Sequence, residues 1–169
     1  FGYSADEDGV QGWIDRLFHH LAAGNYRTLT HITLRDGYSA GGNGGCVLNE
    51  GTLVLIDVTL THCKAAGNNS GGAVYTDNGA LQLFASRVIS NSARNGGGIY
   101  LSGAGVISNS QILDNYADDY AGALDVFGTQ VISNSQVLNN RTDTGGGNNT
   151  QGTHTAHGVT TPGQPPPPP

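Results

Sequence analysis

A block of about 25 residues recurs between Leu34 and Asn140, and a fixed period of that length limits the chain to stacked supersecondary units. The clearest copies are VISNSQILDN (Val106 to Asn115) and VISNSQVLNN (Val131 to Asn140), 25 residues apart. Each copy can be anchored on an apolar residue three places before an Asn-like position. The anchors are then Leu34, Leu60, Val88, Ile112 and Val137, at spacings of 26, 28, 24 and 25. Three places on stand Gly37, Cys63, Asn91, Asn115 and Asn140. Glycine-rich turns open the later copies at Gly44-Gly45, Gly71-Gly72, Gly96-Gly97 and Ala121-Gly122, each followed by Val47, Val74, Ile99 or Leu124.

The apolar runs are too short for helices and are punctuated by Gly, Asn and Ser. No single copy can bury its apolar face, so the copies must stack. This predicts an all-β parallel β-helix of about five coils, with strands at the sheet spacing of ~4.8 Å. The expected inward set is Leu34, Val47, Leu55, Leu60, Val74, Leu83, Val88, Ile99, Ile107, Ile112, Leu124, Ile132 and Val137. A flat antiparallel sandwich is the alternative, and the tight period counts against it. Stacking also aligns like with like, so Asn91, Asn115 and Asn140 are expected to form an internal amide ladder.

The pairing of GGAV (Gly71 to Val74), GGGI (Gly96 to Ile99) and AGAL (Ala121 to Leu124) with VISN (Val88 to Asn91), ILDN (Ile112 to Asn115) and VLNN (Val137 to Asn140) resembles the polymorphic outer-membrane-protein repeat. That repeat is described by GGA plus an aliphatic residue and by F-x-x-N. The resemblance covers roughly residues 29 to 147 and implies a right-handed coil of the kind found in secreted passengers and surface adhesins. Here Val, Ile or Leu replaces the aromatic of F-x-x-N, the first copy lacks the Asn, and the second has Cys63 in its place.

The domain organisation expected is an N-terminal segment over 1–28, the β-helix over 29–147 and a Thr/Gly/Pro-rich tail over 148–169. In the first part Trp13, Ile14, Leu17, Phe18 and Leu21 recur at helical spacing and Gly24-Asn25 supplies a stop, which predicts a capping helix over 10–23. The tail ends in Pro165 to Pro169 and suits a linker or a polyproline II segment docked on a neighbour.

Only 12% of residues are charged, which suits a solenoid surfaced with Ser, Thr, Asn and Gln. A net charge of -6 argues against a nucleic-acid partner, since phosphate binding needs clustered Lys and Arg. No apolar run reaches the length of a membrane span. The chain contains no Met and starts at Phe1, which suggests loss of a secretion signal or excision of an internal fragment. A secreted or cell-surface location is expected. In that setting Cys46 and Cys63 form either a disulfide or a pair of small buried thiols.

Candidate chemistry is sparse. Asp114, Asp118, Asp119 and Asp125 cluster in one copy, and Asp118 and Asp119 are the candidates for Ca²⁺, with a solvated acidic turn as the simpler reading. The six histidines form no ligand pattern, and no nucleophile triad, phosphate loop or CxxC is present. No cofactor is expected. Tyr75 and Tyr100 fall at equivalent positions on adjacent copies and are candidates for stacking on sugars. Asn68 and Asn148 lie in loop-like N-x-S/T sequons, while the Asn140 sequon is expected to be buried in the ladder. Together these point to a non-enzymatic extracellular surface or structural protein, a self-assembling fibre subunit or an adhesin, with self-association through a β-helix end and the tail. The competing class is a β-helix that binds or cleaves polysaccharide.

Overall fold

The structure is a computed structural model that describes residues 16–20, 25–144, 150–151 and 154–157. It is all-β among these residues: a parallel solenoid of five coils and part of a sixth. Coil one holds β1 (Phe18–His20), β2 (Tyr26–Thr30), β3 (Thr33–Arg35) and β4 (Tyr38–Ser39). Coil two holds β5 (Val47–Asn49), β6 (Thr52–Ile56), β7 (Thr59–Thr61) and β8 (Lys64–Ala65). Coil three holds β9 (Val74–Thr76), β10 (Ala80–Phe84), β11 (Arg87–Ile89) and β12 (Ser92–Asn95). Coil four holds β13 (Ile99–Leu101), β14 (Ala104–Ser108), β15 (Gln111–Leu113) and β16 (Tyr116–Tyr120). Coil five holds β17 (Leu124–Val126), β18 (Gln130–Ser133), β19 (Gln136–Leu138) and β20 (Arg141–Thr142). The sixth contributes β21 (Thr150–Gln151) and β22 (His154–His157).

Each strand pairs in parallel with its counterparts one coil away, which makes four sheets along the axis. The repeat register is kept: Leu60, Val88, Ile112 and Val137 stack in one file, as do Leu55, Leu83, Ile107 and Ile132. Every member of the expected inward set is buried except Leu34, which packs against the core from the first coil and is only half-buried.

Short strands can close into a coil only if the chain turns sharply between them. Two corners do this with left-handed residues. His31, Asp57, Ala85, Asn109 and Asn134 stand at the first, and Asp36, His62, Ser90, Asp114 and Asn139 at the second, all with φ between 47° and 60°. Such a conformation costs an L-residue about 1–2 kcal/mol, least for Asn and Asp, and the repeat recovers it through the residue that follows each corner. After the first corner, Ser86 Oγ accepts the Val58 amide at 3.0 Å, and Ser110 and Ser135 accept the Ser86 and Ser110 amides at 3.1 Å. After the second stand the buried asparagines.

The helix expected over 10–23 is corrected. Phe18–His20 form a strand in register with Val47–Asn49. The exposed backbone edge of β5 offers that segment hydrogen bonds that outweigh its helical periodicity. Trp13, Ile14 and Leu21 lie outside the described residues. The solenoid therefore begins before the boundary at residue 28. It also runs past 147, since β21 and β22 continue the sheets of β17 and β18. No helix among the described residues is long and apolar enough to cross a membrane.

Candidate functional site

The surface that concentrates aromatic and acidic chemistry lies on the sheet of β5, β9, β13 and β17. In a strand, alternate side chains point out, and here the middle residue of each three-residue strand does so. Parallel register stacks Leu48, Tyr75, Tyr100 and Asp125 in one outward file. The Tyr75 and Tyr100 rings lie 4.7 Å apart and 12° from parallel, and Phe127 adds a third ring 5.4 Å from Tyr100. This is an offset aromatic ladder over three coils. Phe127, at 67% exposure, is its open end.

A second file stands beside it, one residue past each strand: Glu50, Asp77, Ser102 and Phe127, whose amides bond the carbonyls of His20, Asn49, Thr76 and Leu101. Glu50 and Asp77 thereby flank the ladder. Asp77 is exposed and accepts from Asn78 Nδ2 at 2.9 Å. Glu50 lies 3.3 Å from His19 Nε2. Burial, and then the Asp77 charge, push the Tyr75 phenol up. The Tyr100 phenol is raised by burial first and then by Tyr75, Asp125 and Asp77. Both tyrosines thus sit in a region of negative potential.

Asp125 is the unusual member. It is 2% exposed, its Oδ1 has no hydrogen-bond partner, and burial pushes its carboxyl up to about 6. A buried carboxylate oxygen without a donor is costly and marks a place where a donor would be stabilised.

Next to these files the chain turns through a glycine column, Gly51, Gly79, Gly103 and Gly128. A Cβ on Gly103 would sit 1.8 Å from the Gly79 carbonyl oxygen. Coil-to-coil contact therefore requires glycine here. The result is a groove floored by backbone, with Glu50 and Asn78 on its walls.

The other candidates fall elsewhere. Asn91 Nδ2 and Asn115 Nδ2 each donate to the next Oδ1 at 2.9 Å, so Asn91, Asn115 and Asn140 form a buried ladder inside the corner. Its role is structural. Cys46 and Cys63 are joined by a disulfide with Cα atoms 5.4 Å apart, both buried. Cys63 stands where coils three to five place Asn, and Asn91 Oδ1 accepts its amide at 2.9 Å.

The four aspartates of coil four to five are dispersed by the fold. Asp114 occupies an exposed corner, Asp118 and Asp119 lie on β16, and Asp125 lies on the next sheet. Asp119 pairs with Arg94 at 3.5 Å, while Asp118 is exposed. No group of three or more His, Cys, Asp or Glu among the described residues is placed to hold a metal ion. Asn68 is exposed and accepts from Arg94 at 3.0 Å; Asn148 lies outside the described residues.

The sequence by itself points to Tyr75, Tyr100 and Asp125 but does not join them to Glu50, Asp77 and Phe127. The signal was available: Asp125 aligns with Tyr100 in the 25-residue period, and Phe127 follows two places later. No protein-family model, curated protein or solved structure matches the chain.

Proposed function

We propose that this chain is a non-enzymatic surface protein of the extracellular space, a glycan-binding adhesin built on a right-handed β-helix. The Tyr75–Tyr100 stack carries the reading. An outward aromatic ladder extended by an exposed Phe127 is a surface with little structural purpose, since it adds nothing to the core. Sugars present apolar C–H faces to such rings and hydroxyl donors to the neighbouring carboxylates. The right-handed sense follows the chirality rule for parallel crossovers and the resemblance of the repeat to polymorphic outer-membrane-protein coils. A disulfide buried in one coil suits an oxidising compartment.

The test is a glycan array followed by titration calorimetry on any hit, with the wild type and the double variant Tyr75→Ala, Tyr100→Ala. Binding by the wild type and its loss in a still-folded variant are expected. A blank array, or a hit indifferent to the substitutions, removes the reading.

Self-assembly is the second reading, favoured by one observation. β21 and β22 cover only two sheets, so β19 and β20 remain edge strands among the described residues. A parallel edge can pair with the first coil of another copy, and repeated without closure this makes a filament. Electron microscopy of the full chain over a concentration series checks it: filaments that grow with concentration support assembly, and a monomer at high concentration rejects it.

A further inference from the structure

Electrostatics narrow the ligand. The face that carries the ladder has the carboxylates of Glu50 and Asp77 alongside the Tyr75 and Tyr100 phenols, while Asp125 is buried where β17 pairs with β21. Among the described residues its basic neighbour is His19, and that side chain already lies against Glu50. The other described basic side chains are placed elsewhere: Arg27 on β2, Arg35 on β3, Lys64 on β8, Arg87 on β11, Arg94 on β12 and Arg141 on β20. Arg16 reaches toward Ser39 and Gly42. An anionic polymer would meet repulsion with no counter-charge, so uronates and sulfated glycans are poor occupants.

A compact metal ion is also a poor occupant. The carboxylates are spread over coils two and three, at ~4.8 Å per coil. They do not converge on one point, and no metal-holding group forms among the described residues. Acceptors spaced along an axis suit an extended ligand with spaced donors. Aromatic rings beside carboxylates favour ammonium groups through the negative ring face. The glycine-floored groove beside the ladder runs across coils two to four and leaves room for a chain along the axis.

Resting on the glycan-binding reading, we infer that this face takes a linear glycan bearing protonated amino groups, a polymer of the glucosamine type. The sugar rings lie against Tyr75, Tyr100 and Phe127. Asp77 and Glu50 accept hydrogen bonds from the ammonium groups.

Calorimetric titration of the full chain near pH 6 with three oligosaccharides tests this: a glucosamine hexamer, its fully N-acetylated counterpart and a galacturonate hexamer. The glucosamine hexamer should bind roughly tenfold or more tightly than the acetylated one, with affinity falling between 50 mM and 500 mM salt. Galacturonate should give no heat. The exposed Asp77→Asn substitution should lower glucosamine affinity roughly tenfold and leave the melting temperature unchanged. Equal or tighter binding of the acetylated hexamer overturns the charge inference and leaves glycan binding standing. Tight galacturonate binding does the same. Silence from all three oligomers defeats this inference, and a blank glycan array in addition defeats the reading beneath it.

Discussion

Asn91 Nδ2 donates to Asn115 Oδ1 at 2.9 Å, and the same Oδ1 accepts the Asn91 backbone amide at 3.0 Å. One side-chain oxygen therefore satisfies two donors from the coil beneath, at a corner where the backbone is left-handed and cannot pair with itself. Asn115 Nδ2 in turn donates to the Val88 carbonyl at 2.9 Å. Because every partner is buried, Asn115→Ala should cost about 2–4 kcal/mol in denaturant unfolding, through the stranded Asn91 amide and Val88 carbonyl. The surface amide pair Gln111–Gln136, at 3.1 Å, offers the contrast. Gln111→Ala should change stability by less than about 0.5 kcal/mol. Similar losses from the two variants would mean that the ladder does not hold the corner.

The disulfide replaces one rung. Cys63 occupies the Asn file, and Cys46 the file of Ala73, Gly98 and Ala123, in a loop of sequence separation 17. Replacing both cysteines by alanine should lower stability by about 3 kcal/mol, from the loop-closure entropy returned to the unfolded chain. Cys46→Ala with Cys63→Asn should recover about 1–2 kcal/mol of that, since an Asn there can donate to the Leu34 carbonyl as Asn91 does to Leu60. Coincident melts of oxidised and reduced wild type would contradict the first expectation.

Asp125 makes stability depend on pH. Its carboxyl is raised by burial from 3.8 to about 6, so between those values the folded chain binds more protons than the unfolded one. Folding is therefore favoured below about pH 4 by this group, and the advantage is lost as pH rises through about 6. Relative to Asp125→Asn, the wild type should lose about 2–3 kcal/mol between pH 4 and pH 7. Thermal melts of both chains across that range decide the matter, and parallel curves would show that the carboxylate is not desolvated.

Glycosylation should separate two sequons, Asn68-Asn69-Ser70 and Asn140-Arg141-Thr142. Asn68 is exposed, whereas Asn140 is 4% exposed and gives its amide to the Ile112 carbonyl at 2.9 Å. Secretion from a glycosylating host followed by peptide mass mapping should find glycan at Asn68 and none at Asn140. Occupancy at Asn140 would mean that the sequon is modified before the ladder forms.

Gly103→Ala should destabilise by about 1–3 kcal/mol, because the added carbon meets the Gly79 carbonyl oxygen across the coil boundary. An unchanged melting temperature would show that the coils can separate there at no cost.

Periodicity alone determined the solenoid, its coil count, the inward apolar files and the Asn ladder, because a repeated pattern that cannot bury itself locally has to stack in register. Where periodicity was weak, tertiary contact decided. Phe18–His20 carried a helical spacing, yet the open edge of β5 drew them into a strand. Ser86, Ser110 and Ser135 looked like filler, but stacking brings each hydroxyl to the amide of the coil beneath. The aromatic-acidic face was decided the same way. Tyr75, Tyr100 and Phe127 become neighbours only because consecutive coils lie one sheet spacing apart, and Asp114 and Asp125, close in sequence, part because a coil turns its strands onto different sheets. Sequence distance records position along the coil, while chemistry depends on position along the axis, and only the closed turns convert one into the other.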